Sequence, residues 1–296
     1  MAWHDLGGLM RAETDESALA LSACFVVTSV DRRFVEFAGV MLHTLALNGD
    51  VDEVNVTVFC DGLTPKDKSH LRQCGGRLRL TLFELSEETL RQFEGLKTNS
   101  NWSRSIYTRL VLPDLLGCKE GRLVYLDADT IVVDSLRPLL NLDMSGMSVA
   151  AVGGVSNQDN ARLNLPDGTR TMNSGVLLID IVEWLKRDLS NRCLEIVRSQ
   201  AARLKFFDQD ALNIALAGQF ASLDRRWNVI LHSHADEPAI FHFTHDKPNS
   251  VRCQHPAQPL YLQYRQATPW ASKRLKSRWH KRISRLTHSV RRLFER

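Results

Sequence analysis

Two rhythms of apolar and polar positions run along this chain. Short apolar runs of strand length are bounded by Gly, Asp or Pro, and between them apolar residues recur at three- and four-residue spacing. Ala23 to Val30 is the first such run and predicts a strand, followed at once by Asp31-Arg32-Arg33. Phe34, Phe37, Ala38, Met41, Leu42 and Leu45 then share one helical face. Val54 to Cys60 predicts a second strand, closed by the turn signal Asp61-Gly62. Thr64-Pro65-Lys66-Asp67 opens a helix that runs to about Cys74. Leu78 to Leu85 predicts a third strand, Ser105 to Leu116 a helix, and Leu123 to Leu126 a central strand. Ser148 to Val152 predicts a further strand, and the polar stretch from Gln158 to Thr171 a loop. Val176 to Ile181 is strand-like, Val182 to Val197 helical, Asp208 to Ala217 a second short helix, and Ile240 to Phe243 a late strand. Strands alternating with helices predict an α/β fold with a mainly parallel sheet and helices on both faces.

Composition adds limits to that picture. The chain has 296 residues, 44% hydrophobic and 24% charged, which suits one large α/β domain plus an appendage. Its six cysteines are scattered with no Cys-x-x-Cys pair, so a reduced, cytosolic protein fits better than a disulfide framework or a zinc site. Residues 1–20 form a leader in which Asp5, Glu13, Asp15 and Glu16 stand against Arg11. A secretory signal needs a basic start and then an apolar core, so export is not expected. No run reaches the roughly 18 apolar residues of a membrane span.

Charge is distributed unevenly. The net charge is +4, yet Ala271 to Arg296 holds ten Lys or Arg against Glu295 alone, which leaves the body mildly acidic. Within that tail Leu275, Trp279, Ile283, Leu286, Val290 and Leu293 fall on one helical face. A basic amphipathic helix over 271–296 suits an anionic membrane surface, and the competing reading is a helix docked on the body. No nucleic-acid partner is expected, because no recognition module accompanies the basic charge. Residues 251–270 read as a connector to this helix.

The candidate chemistry centres on Gly121 to Leu136, where the apolar run Leu123 to Leu126 ends in Asp127-Ala128-Asp129. Ligands bind where the strands of open α/β sheets end. Two carboxylates one residue apart can reach one hard cation, whose open positions accept phosphate oxygens. The plain alternative is a strand end followed by a turn-capping Asp. A phosphatase of the haloacid dehalogenase type also begins from Asp-x-Asp. It expects Thr two places after the second Asp, where this chain has Ile131, and it carries the pair on its first strand.

Three further constellations stand out. Asn173-Ser174-Gly175 precedes the apolar run from Val176, where Asn173 could meet a bound hydroxyl or simply form a turn. Asp208-Gln209-Asp210 opens a helix, where capping explains one acid but not both. His242 follows a strand, with Lys247 five places later: one a potential metal ligand, the other a diphosphate counter-charge.

As an ordered set, these segments resemble glycosyltransferase family 8, and most closely the bacterial lipopolysaccharide galactosyl- and glucosyltransferases. The resemblance runs from Cys24 to Pro248. It is carried by Tyr-Thr-Arg109-Leu, Leu-Val-Tyr-Leu-Asp127-Ala-Asp129, Met-Asn173-Ser-Gly-Val-Leu-Leu-Ile-Asp and Phe-Asp208-Gln209-Asp-Ala-Leu-Asn. It implies a Rossmann-like GT-A domain over 21–250, a UDP-sugar donor, Mn²⁺ with Mg²⁺ as the alternative, and transfer with retention. By this resemblance Asp127, Asp129 and His242 hold the metal. Arg109, Asn173, Asp208 and Gln209 surround the donor sugar as catalytic residues. Ser29, Asp31, Asp127, Ala128 and Lys247 contact the nucleotide.

Two departures are visible. Where the family commonly reads His-x-x-Gly-x-x-Lys-Pro-Trp, this chain has His245 for the Gly, one residue fewer before Lys247, and Asn249 for the Trp. The family's Asp-Asp-Asn becomes Asp31-Arg32-Arg33, which places two arginines where a phosphate could approach.

The expected activity is transfer of galactose or glucose from a UDP-hexose to a lipopolysaccharide or other envelope glycan acceptor, lipid-linked, at the cytosolic face of the inner membrane. The alternatives are a transferase of the same fold acting on a protein or soluble glycan, or a catalytically silent membrane-surface module.

Overall fold

The computed structural model describes residues 24–97 and 104–277. β1 (Cys24–Asp31), α1 (Val35–Asn48), β2 (Asn55–Asp61), α2 (Pro65–Gly75) and β3 (Arg79–Glu84) follow the predicted order. The start of α2 shows why: Thr64 and Asp67 form a reciprocal capping box and Pro65 occupies the first turn. A short α3 (Glu87–Gln92) comes next. The helix expected over Ser105 to Leu116 is divided. Arg104–Val111 winds as a 3₁₀ turn and passes into α4 (Leu112–Leu116), whose first turn accommodates Pro113.

The central strand is β4 (Arg122–Leu126), followed by the short β5 (Thr130–Val132) and α5 (Arg137–Leu140). β6 (Val149–Val155) leads to α6 (Asn157–Leu163), where a loop was expected. Only Asn160 and Leu163 of α6 are buried, so its apolar pattern is too sparse to read. Ser156 caps its start, accepting from Asp159 N, and Asn164 closes it in the left-handed region.

β7 spans Arg170–Asp180 and begins well before the expected Val176, so Asn173-Ser174-Gly175 lie inside a strand rather than in a turn before one. The helix expected over Val182 to Val197 is two, α7 (Ile181–Lys186) and α8 (Leu189–Ser199). They are separated at Asp188, whose φ of 52° breaks the helical path. α9 (Phe207–Leu216), β8 (Ala221–Ser222), β9 (Ile240–His242) and α10 (Gln258–Arg265) complete the order.

The main sheet has the order β3-β2-β1-β4-β7-β6-β8. β3, β2, β1 and β4 are mutually parallel, β6 and β8 are parallel to each other, and β7 lies antiparallel to both β4 and β6. The mainly parallel expectation therefore holds with one reversed strand. That reversal sets the middle of β7 beside the end of β4, with Leu126 opposite Val176, and carries the first half of β7 past it. Alternate residues of β1 and β4 enter two different apolar clusters, Phe25, Val27, Leu123 and Tyr125 on one face and Val26, Val30, Val124 and Leu126 on the other. Both faces are thus covered, as a Rossmann-like sheet requires.

The C-terminal expectations need correction. Residues 251–270 are not a mere connector: α10 buries Tyr261 against Phe37 and Phe243. Arg265 Nε pairs with Glu36 Oε1 at 2.9 Å, and both side chains are 3% exposed. Residues 271–277, the first part of the predicted basic helix, run as turns and an isolated bridge between Ser250 and Lys276. Lys276 N–H donates to Asn249 O at 2.8 Å, and Val251 N–H donates to Lys276 O at 3.2 Å. Trp270 seats against α1 because Gly39 has no side chain, where a Cβ would fall 2.2 Å from the indole. The rest of that helix, 278–296, and the leader lie outside the described residues. Among the described residues no helix is long and apolar enough to cross a membrane. No disulfide joins the six cysteines, all of which are described.

Candidate active site

Past Leu126 the chain stays extended for one more residue, and Asp127 N–H donates to Gly175 O at 2.8 Å, continuing the β4–β7 pairing. Side chains two apart on extended backbone share a face. Tyr125 therefore reaches its neighbour, and its hydroxyl donates to Asp127 Oδ1 at 2.9 Å. Thr130 then closes the turn, donating to Asp127 O from Oγ1 at 2.8 Å and from its backbone N–H at 3.2 Å. The turn aims Asp129 back toward Asp127. Phe243 N–H donates to Asp129 O at 3.0 Å, and the β5–β9 register sets His242 opposite Thr130.

These constraints bring three potential ligands together. His242 Nε2 lies 3.5 Å from both Asp127 Oδ2 and Asp129 Oδ1. One ligand atom from each of the three residues lies within 4.8 Å of the others. Two carboxylates and one imidazole suit a divalent cation that takes oxygen and nitrogen ligands better than a soft, thiolate-seeking one. Gly175 makes the arrangement possible: a Cβ there would fall 2.0 Å from His242 Cε1 and 2.9 Å from Asp127 Oδ2. The residues present therefore fit a divalent metal.

Lys247 reaches the same end despite the shortened spacing. Its Nζ donates to Asp129 Oδ2 and, at 2.8 Å, to Phe243 O. Burial alone would raise the Asp129 carboxyl, but the Lys247 ammonium outweighs it and holds the group well below the usual carboxylate range.

The other end of the cleft is organised by Arg109. Its Nη2 donates to Asp127 Oδ1 at 2.6 Å, and its Nη1 to Ser174 O at 3.0 Å and Ser174 Oγ at 2.8 Å. Its Nε lies 2.8 Å from Asp208 Oδ2, and the guanidinium sits 4.8 Å from the Tyr125 ring centre. Burial pushes the Asp208 carboxyl up to about 6, with Arg109 opposing and Asp127 adding to the rise.

Gln209 Oε1 accepts from Asn173 Nδ2 at 3.1 Å and from Ser174 N–H at 3.3 Å. The second acid of this segment does different work. Asp210 Oδ2 accepts from Lys205 N–H at 2.7 Å, Phe206 N–H at 2.9 Å and Arg162 Nη1 at 2.6 Å. Asp210 thus holds the loop, in which Phe207 takes a φ of 26°, and so presents Asp208 and Gln209 to the cleft.

Arg109, Tyr125, Asp127, Asp129, Asn173, Ser174, Asp208, Gln209, His242 and Lys247 all border a single open cleft of about 370 Å³ at the C-terminal end of β1 and β4. Ser29, Asp31 and Ala128 line it as well, so the residues expected to hold the metal, the nucleotide and the donor sugar all border one space. Asp31, however, is engaged by its own loop. Its oxygens accept from Arg33 N–H at 2.8 Å, Phe34 N–H at 3.2 Å and Arg33 Nη2 at 2.7 Å. Arg32 turns to Asp67 at 3.7 Å. The two arginines therefore meet carboxylates of their own chain.

Four contributors have no role in the sequence reading: Tyr125, Ser174, Gly175 and Asn228. Tyr125 had a signal, its two-residue offset from Asp127. Ser174 and Gly175 carry no role of their own in the sequence, where they fit a turn, and only the longer β7 makes them part of the wall. Asn228 gave no signal, yet its Oδ1 lies 2.9 Å from His242 Nδ1.

The comparisons with known proteins agree with this construction. The model of Glycosyl transferase family 8 matches residues 25–273. General stress protein A of Bacillus subtilis is 26% identical over 269 residues, covering 83% of this chain and 94% of that protein. Lipopolysaccharide 1,2-glucosyltransferase of Escherichia coli K12 is 32% identical over 213 residues, covering 69% of this chain and 62% of its own. Lipopolysaccharide 1,3-galactosyltransferase of Salmonella typhimurium is 22% identical over 268 residues, covering 83% and 79%. Among solved structures, galactosyltransferase LgtC in complex with donor and acceptor sugar analogues superposes with a TM-score of 0.72 at 21% identity, covering 84% of this chain and 99% of that one. That likeness establishes a GT-A-like fold. Nearly the whole described chain falls within the family match, and the chain belongs to glycosyltransferase family 8, as a homologue of bacterial lipopolysaccharide galactosyl- and glucosyltransferases.

Proposed function

We propose that the protein moves a hexose, galactose or glucose, from a UDP-sugar to a lipopolysaccharide or other cell-envelope glycan acceptor, with retention at the anomeric carbon. The observation that carries this reading is the convergence of Asp127, Asp129 and His242 on one point of the cleft, with Lys247 and Arg109 beside them. Those three residues would hold Mn²⁺, with Mg²⁺ as the second candidate. Such an ion supplies positive charge to the diphosphate as the sugar–phosphate bond breaks.

The chain's own groups divide the remaining work. Lys247 carries a terminal ammonium that can turn from Asp129 to a diphosphate oxygen. Arg109 fixes Asp127 and Asp208 on either side of the donor-sugar space. Asn173, Asp208 and Gln209 border that space and orient the hexose. Ser29, Asp31 and Ala128 border the nucleotide end. Attack from the face that UDP leaves is favoured over double displacement. Gln209 is an amide and a poor nucleophile, and Asp208 is held by Arg109. The names of the lipopolysaccharide-directed relatives support an envelope glycan acceptor. Residues 278–296 carry seven Lys or Arg and one Glu, with Trp279, Ile283, Leu286, Val290 and Leu293 at helical spacing. That sequence supports attachment to an anionic membrane surface at the cytosolic leaflet.

The test is release of UDP from a panel of UDP-sugars with Mn²⁺, with Mg²⁺ and with chelator. Slow, metal-dependent release from one UDP-hexose, lost in Asp129→Ala, is the expected result. Release that ignores the chelator and survives Asp129→Ala would overturn the reading.

A further inference from the structure

Between the metal-ligating imidazole and the donor-sugar residues runs an unbroken file of side chains: His242, Asn228, Asn173 and Gln209. Asn228 Nδ2 donates to Asn173 Oδ1 at 2.8 Å, and Asn173 Nδ2 to Gln209 Oε1 at 3.1 Å. Amide groups and imidazoles can each be turned two ways, so such a file has no inherent direction. Here two backbone groups give it one. A backbone N–H can only donate. Gly175 N–H points at Asn173 at 3.0 Å, so the atom it meets must be the oxygen. Ser174 N–H points at Gln209 at 3.3 Å, so that atom must also be the oxygen.

The consequences run outward in both directions. Asn173 Oδ1 accepts, so the atom of Asn228 facing it is the amide nitrogen. The oxygen of Asn228 then faces His242 Nδ1 at 2.9 Å, and a carboxamide oxygen can only accept. His242 must therefore carry its proton on Nδ1, which leaves the lone pair of Nε2 directed at Asp127 and Asp129. At the other end both bonds land on Gln209 Oε1, so Gln209 offers its amide nitrogen to a ligand in the cleft.

We infer that Asn228, which is 3% exposed, is a positioning residue that sets the ligating tautomer of His242 and, through Asn173, turns Gln209 to meet the donor sugar as a hydrogen-bond donor. The inference rests on the reading of Asp127, Asp129 and His242 as the cation site. It adds that the cation end and the sugar end are aligned by one residue that touches neither ligand.

The test uses two substitutions that cut the file at different places. Asn228→Leu removes both bonds. Asn228→Asp keeps an acceptor for His242 Nδ1–H but cannot donate to Asn173. The first readout is the ¹⁵N spectrum of imidazoles in the metal-free protein at pH 8, with the His242 ring identified by its loss in His242→Gln. Wild type and Asn228→Asp should show the Nδ1–H form, and Asn228→Leu a mixture with Nε2–H.

The second readout is Mn²⁺ affinity. It should fall about ten- to a hundredfold in Asn228→Leu, as for outer-shell partners of ligating histidines, and stay within about twofold in Asn228→Asp. The third is UDP release from the preferred UDP-hexose at saturating Mn²⁺. Its kcat should fall about tenfold in Asn228→Asp because the Asn173–Gln209 end is released. A purely structural role would move affinity and kcat together. An Nε2–H ring in the wild type, unchanged Mn²⁺ affinity in a folded Asn228→Leu, or parallel losses in Asn228→Asp would overturn the inference. An Nδ1–H ring in a wild type that binds no Mn²⁺ would support the tautomer assignment while overturning the proposed cation site, so the two failures are distinguishable.

Discussion

The two ends of the cleft use the same materials and reach opposite settings. At the end near β9 a buried carboxylate, Asp129, has one ammonium to itself, that of Lys247, and is held well below the ordinary range. At the end near α9 an equally buried carboxylate, Asp208, shares one guanidinium with Asp127 and is pushed up to about 6. The lesson is one of stoichiometry. Burial raises both acids, and the number of positive or polarisable partners per carboxylate decides which way the balance falls. Asp129 remains an anion ready for a cation. Asp208 titrates close to neutrality, where a proton can be held or released with little free energy.

The strongest way to break this contrast is to remove the first carboxylate. Asp129→Ala should lower metal-dependent UDP release about 10³-fold, since charge stabilisation of several kcal/mol is lost and each ~1.4 kcal/mol is tenfold. Donor hydrolysis assays with and without chelator check it.

The second prediction sharpens the other end. Because the folded-state value of Asp208 lies above the ordinary 3.8, its contribution to stability is present below about 4 and lost as pH rises through about 6. Metal-free wild type should thus lose up to ~3 kcal/mol between pH 4 and 7 relative to Asp208→Asn. Paired denaturation curves at the two pH values measure this difference.

The third prediction addresses the wall between the ends. Gly175→Ala forces a methyl group into His242 and should weaken Mn²⁺ binding about ten- to a hundredfold, read by titration calorimetry. The smallest effect is expected outside the cleft. Truncation after Ser277 keeps the Lys273 and Lys276 contacts to the body and should change donor hydrolysis less than about twofold. The same truncation should abolish binding to anionic vesicles, because it removes the basic amphipathic sequence.

How much of this could be read beforehand varies with how local the cause is. The β1–α1–β2–α2–β3 unit was legible because strand runs, the Thr64–Asp67 capping box and the helical spacing of α1 all act within a few residues. The Asp127–Asp129 pair was legible as chemistry for the same reason. The wall opposite it was not, because the reach of β7 back to Arg170 depends on pairing with β6, where Val155 meets Arg170. That pairing is a tertiary fact that no local pattern records. The spacing before Lys247 is one residue short of the family pattern, and only the seating of β9 against β5 shows that the shorter loop still brings the ammonium to Asp129. Asn228 lay furthest from view. Its importance depends on two backbone N–H groups of a strand more than fifty residues earlier in the chain, both absent from any side-chain pattern.

The central claim is that one cleft binds a divalent cation and a nucleotide donor together through the end of β4. The most direct measurement is titration of UDP into metal-free and Mn²⁺-loaded protein, wild type and Asp129→Ala. The account predicts binding at least about tenfold tighter with Mn²⁺ in the wild type, and no Mn²⁺ effect in the variant. Equal UDP affinity with and without Mn²⁺ in the wild type, or an undiminished Mn²⁺ effect in Asp129→Ala, would contradict it.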